Sequence, residues 1–201
     1  MNKKILLSFI FYLLVLIVLC LAIYQRLQIP FVPFDINDQY FLPTVSFFKG
    51  HGLDCGERAP IYPLLLFIIT YFTNNFSAIV YVQVFFGIIT ALLLLFLFLE
   101  ITSSPKKFPE IIRYFLALLL FSSFILSDDK INLEFSLRPE IFSQFFLVLL
   151  CYLFFKILKK GSQIDYYLGV FAFLSLFTTY FQDKFFGITL LNILIILKYI
   201  F

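Results

Sequence analysis

Residues 34–63 carry Asp35, Asp38, His51, Asp54, Glu57 and Arg58, and a second polar stretch, SDDKINLEFSLRPE, brings Arg138 and Glu140. Carboxylates and guanidinium groups held together offer a defined chemistry. Arg grips a phosphate through charge-assisted hydrogen bonds, and a carboxylate takes a proton from a hydroxyl nucleophile. At a membrane edge that combination suits an anionic lipid substrate. The simpler reading, solvated loop charges and snorkelling side chains, is the one that residue type alone favours. His51, between two glycines, reads as a turn residue before it reads as a base or ligand. The three cysteines, Cys20, Cys55 and Cys151, offer neither an obvious disulfide pair nor metal-ligand spacing, so no metal and no other cofactor is indicated.

The elements that must position these groups are apolar. The 201-residue chain is 62% hydrophobic and 13% charged, with a mean hydropathy of +1.01, which is outside the range of soluble domains and implies an integral membrane protein. Its net charge of +3 is spread over several loops, with no basic block to track a phosphate backbone, so nucleic acid is not an expected partner. The first apolar run, 5–23, is too long for a signal-peptide core and lacks a small-residue cleavage site, so it is expected to remain as a span.

A helix needs roughly 20 apolar residues to cross the hydrocarbon core. Segments 5–24, 77–99, 111–126, 141–158 and 166–181 meet or approach that length, and a final apolar stretch covers 185–201. Segment 61–73 is short and bounded by Pro60, Pro63 and Asn74-Asn75, so it is expected to lie at the surface. The expected fold is all-α: a polytopic transmembrane bundle of five to six spans with a juxtamembrane helix in the first outer loop. With segment 61–73 left out of the spans, Lys3, Lys4, Lys106, Lys107, Lys156, Lys159 and Lys160 share one side, as the positive-inside rule requires. The expectation is a cell (plasma or inner) membrane protein with a cytoplasmic N-terminus. Residues 1–201 form a single transmembrane domain that reads as the N-terminal part of a larger bundle.

Several spaced positions carry a family likeness. After the first span come Asp35, Tyr40 and Gly50, then Glu57-Arg58-Ala59-Pro60 leading into Tyr62-Pro63-Leu64-Leu65-Leu66. Arg138-Pro139-Glu140 precedes a later span, and Lys184 follows the fifth. This order resembles the GT-C membrane glycosyltransferases that use polyprenyl-phosphate sugars, among them protein mannosyltransferases and lipid A aminoarabinose transferases. The resemblance implies sugar transfer from a polyprenyl-phosphate donor to a lipid, glycan or protein acceptor on the outer face of the membrane. It implies a catalytic role for Asp35, Asp38 and Glu140, with Tyr40, Arg58, Arg138 and Lys184 at the substrate. Asp35 stands five residues before Tyr40 and Asp38 two, so either can be the general base. The competing class is a non-catalytic membrane protein, either an inactive or truncated relative or a transporter component. Transporters place ionisable groups mid-membrane on broken helices, whereas the spans here are nearly free of charge.

Overall fold

A computed structural model describes residues 3–30, 40–52, 60–103, 109–136 and 138–158, together with Tyr167, Val170, Phe171 and Leu174. The described elements are all helical: α1 (Lys3–Leu27), α2 (Phe41–Phe48), α3 (Ile61–Thr73), α4 (Ser77–Ile101), α5 (Glu110–Ile125), α6 (Asp128–Phe135) and α7 (Glu140–Leu158). Three of them, α1, α4 and α7, are long and apolar enough to cross a bilayer. A fourth crossing results if α5 and α6, bent by 44° at the break between them, count as one span. The expected fifth span and the terminal stretch fall largely outside the described residues.

Helix α4 is the centre of the bundle, packing on α3, α5, α6 and α7. Its buried face runs through Gln83, Gly87, Thr90 and Ala91, small or weakly polar residues at helical spacing that let neighbouring helices approach closely. Helices α4 and α7 run parallel: Phe86 packs on Phe142 and Phe145 at one end, and Lys156 reaches Glu100 at 3.5 Å at the other. Helix α1 runs parallel to α5, with Phe11 stacked on Tyr114 at 4.5 Å and the Ser8 and Tyr114 hydroxyls 3.1 Å apart. The rest of α1 is largely exposed and apolar, from Phe9 to Leu27, as a lipid-facing helix must be.

The bundle therefore has two unlike ends. Lys3, Lys4, Glu100, Arg113 and Lys156 mark the far end; Arg26, α2, α3, α6, Arg138 and Glu140 gather at the loop end. Helix α3 belongs wholly to the loop end. Pro63 sits in its first turn, where the missing N–H costs no hydrogen bond. Its last turn closes at Asn74, in the left-handed region at φ 51°, with the Asn74 amide donating to Thr70 O at 2.8 Å. Asn75 Oδ1 then accepts from the Ser77 amide at 2.9 Å and starts α4. At 13 residues α3 is about 20 Å long, less than the hydrocarbon core. Its Tyr62 lies against Gln83 of α4, six residues below the Ser77 start to which its other end is joined. Both ends thus stay at the loop end.

The second polar stretch is not a loop throughout, as the sequence suggested, because residues 128–135 form α6. Asp128 and Asp129 occupy the first turn of this helix, where carboxylates face the positive end of the helix dipole. A second helix also appears in the first loop. Helix α2 ends in a Schellman motif at Gly50, φ 76°, in which the Gly50 amide donates to Phe47 O and the His51 amide to Ser46 O. His51 is the exposed residue that completes this turn, in keeping with the turn role its neighbours suggested.

If α3 does not cross, cysteines placed at Lys49, before it, and at Asn74, after it, react with an impermeant maleimide from the same side, and one at Ser103 from the opposite side. Labelling of the first two from opposite sides refutes the arrangement.

Candidate functional site

Three residues singled out in the sequence can be located: Tyr40, Arg138 and Glu140. Asp35, Asp38, Arg58 and Lys184 lie outside the described residues. The segments that carry them are linked at the loop end through α3 and α4. The Tyr40 ring meets Tyr62 edge to face at 5.2 Å, and Tyr62 is fully buried against Phe142 of α7. The Tyr62 hydroxyl is 3.5 Å from Gln83 Nε2. That amide nitrogen also donates to the carbonyl oxygens of Ser136, at 2.8 Å, and Arg138, at 3.0 Å. One buried side chain on α4 therefore holds the backbone that carries Arg138 and leads into Glu140.

The local sequence explains this pose. Ser136 is extended, the Arg138 amide donates back to Ser136 O at 2.9 Å, and Pro139 opens α7, accepting from the Ser143 amide at 3.0 Å. Arg138 is left exposed, free to meet a ligand from solvent. Glu140 sits half-buried in the first turn of α7, and its Oε2 is buried without a hydrogen-bond partner among the described residues. Thr44 Oγ1 of α2 donates to Pro63 O at 3.1 Å and ties the Tyr40 segment to α3. Among the described residues no three His, Cys, Asp or Glu side chains converge as a metal site.

A second polar cluster lies beside the first, built from residues that read in the sequence only as loop charges. Arg26 at the end of α1 and Glu134 on α6, 4% and 0% exposed, form a bidentate pair, with Nε to Oε2 at 2.5 Å and Nη2 to Oε1 at 2.9 Å. Arg26 Nη1 also donates to Ala22 O at 3.0 Å. Glu134 lies directly over Gly87, where a Cβ would clash with Oε1 and stand 2.8 Å from Cδ. Lys130, one turn earlier on α6, donates to Gln144 Oε1 of α7 at 2.8 Å and stands 4.9 Å from the Phe124 ring centroid. The detectable signal was the pattern Lys130, Ile131, Glu134, Phe135, which puts two charges on the buried face of one short helix. Next to this cluster a cavity of about 370 Å³ opens between α1 and α4, lined by Ile23, Leu27, Val80, Val84, Ile88 and Phe135, with Arg26 in its wall.

No protein-family model, no characterised protein and no solved structure matches this chain.

Gln83→Leu should be costly, because it strips the donor from two inward-facing carbonyls; an unsatisfied buried acceptor costs about 1–3 kcal/mol. The expected outcome is a lower melting temperature in detergent and faster proteolysis near Ser136. An unchanged melting temperature would show that Gln83 does not hold this segment.

Proposed function

We propose that the chain acts as, or as part of, a membrane glycosyltransferase that moves a sugar from a polyprenyl-phosphate donor to a hydroxyl acceptor at the loop end. The observation that carries this reading is the convergence of two distant segments. Tyr40 from the first loop and Arg138 and Glu140 from the second are linked through Tyr62 and Gln83, and these are three of the positions that the likeness to GT-C enzymes singles out. The unpartnered Glu140 oxygen and the exposed Arg138 guanidinium supply the acid–base and phosphate-binding groups that such a transfer needs. The apolar cavity beside α1 suits part of an isoprenoid chain entering from the bilayer.

In this reaction the acceptor oxygen forms a bond to the anomeric carbon as the bond from that carbon to the phosphate oxygen breaks. The acceptor proton passes to Asp35 or Asp38. The leaving polyprenyl phosphate keeps the electron pair, and Arg58, Arg138 and Lys184 stabilise its charge. Glu140 acts beside the first-loop acid, holding the acceptor or sharing its proton.

Transfer assays in membranes supplied with donor and acceptor test the assignment. Replacing the general base by its amide should lower turnover by about 10²–10⁴-fold with donor binding retained. Asp35→Asn and Asp38→Asn are run side by side to find which acid is the base, and Glu140→Gln should also reduce turnover. Arg58→Ala should instead raise the KM for donor by about tenfold or more, the loss expected for one charge-assisted contact. Wild-type transfer in both Asn variants would overturn the catalytic assignment. Neither transfer nor donor binding by the unaltered chain would favour the non-catalytic reading.

A further inference from the structure

We propose that the Arg26–Glu134 pair, seated in the notch left by Gly87, is a positioning device that fixes where α6 lies and so holds the Ser136–Glu140 segment over Gln83. The effect on sugar transfer rests on the function proposed above; the effect on the position of the segment does not.

The short helix α6 has only Lys130, Ile131, Glu134 and Phe135 on its buried face, and apolar contact alone is non-directional. Ile131 and Phe135 pack with Val80 of α4, a contact that a small slide along α4 would preserve. The charged pair removes that freedom, because two parallel N–H to carboxylate bonds demand one orientation. At the other end of the buried face Lys130 is held by Gln144 of α7. The helix is therefore pinned at two points, to α1 and to α7, while α4 supplies the floor.

The link to the site is short. Ser136 follows Glu134 by two residues, which span at most about 7 Å when extended, so a displaced carboxylate cannot be absorbed by slack chain. The Ser136 and Arg138 carbonyls meet Gln83 at 2.8 and 3.0 Å, and shifts much beyond half an ångström break such bonds. Gly87 is the position where a side chain would intrude, since any Cβ occupies the space of the Glu134 carboxylate. Glu134 cannot move aside without giving up its bidentate contact with Arg26.

A structural role and a positioning role predict different behaviour when both charges are removed. Replacing a buried ion pair by apolar residues of similar volume is often neutral for stability. The chain with Cys20, Cys55 and Cys151 changed to Ser, carrying Ser136→Cys as a near-isosteric half-buried reporter, is reconstituted in nanodiscs and labelled with an impermeant maleimide. R26M/E134L should melt near the parent, yet label roughly fivefold faster or more, the change in open population that follows loss of a buried hydrogen-bonded contact. G87A should label faster as well. In an E134A background G87A should add little, since the carboxylate it displaces is gone.

Parental labelling rates in both R26M/E134L and G87A would overturn the proposal, as would full additivity of G87A with E134A. If R26M/E134L does not accumulate, G87A, which keeps both charges, decides alone, and a parental labelling rate there overturns the proposal. Sugar transfer measured on the same samples separates the two claims. Faster labelling with no transfer even by the parent sustains the positioning role and removes the transferase reading, whereas parental labelling in a transferring enzyme does the reverse.

Discussion

Burying an arginine and a glutamate inside an apolar bundle is unfavourable until each has an exact partner, because desolvating a charge costs several kcal/mol even after relaxation. At the loop end this constraint is met by fixed geometry. Arg26 uses three donor nitrogens, two on the Glu134 carboxylate and one on the carbonyl of Ala22, and the carboxylate occupies a hollow that exists because residue 87 is glycine. Moving α1 or α6 leaves a charge unpaired, which costs about 3–5 kcal/mol when one partner of such a pair is lost, and moving α4 along its axis brings a bulkier residue under the carboxylate. The relative placement of those three helices follows from that penalty more than from the gain of the pair itself.

The same logic applies to neutral groups. Backbone that is not helical, yet lies against a membrane bundle, must find its hydrogen bonds within the protein. The turn between α6 and α7 finds them in Gln83. Thr70, Thr90 and Thr102 instead return their hydroxyls to carbonyls four residues back and stay neutral within their own helices. Polar side chains in this fold thus divide into those that satisfy themselves and those that hold another segment, and the side chains that hold non-helical backbone lie at the loop end.

This division also explains what could be read in the sequence. Span lengths and breakers located α1, α3, α4, α5 and α7, with α3 bounded at Ile61 and Thr73 as the flanking proline and asparagines require, because hydropathy and turn chemistry are local properties. Helix α6 was missed for a physical reason. It is short, and half of its buried face is charged, so neither hydropathy nor an apolar period marks it. The Arg26–Glu134 contact joins residues 108 apart in the chain, and no local pattern carries such information. Tyr40 and Glu140 drew attention through the family likeness, whereas Gln83, the residue that connects their segments, was hidden as one polar position within an apolar span.

The two ends of the bundle differ in what their charges accomplish. At the far end Lys156 meets Glu100 at 3.5 Å and Arg113 meets Glu110 at 4.0 Å, all partly exposed, and pairs of that kind contribute about 0–1 kcal/mol. They anchor helices at an interface and hold no loop in place. At the loop end Arg26, Glu134 and Lys130 are buried and join α1, α6 and α7, and the chain that leaves Glu134 reaches, six residues on, Glu140, whose Oε2 has no partner among the described residues. A bundle that needed only to sit in a bilayer could close both ends in the cheaper way. Buried charge is tolerated where a fixed geometry is required, and the geometry fixed here is that of the segment carrying Arg138 and Glu140.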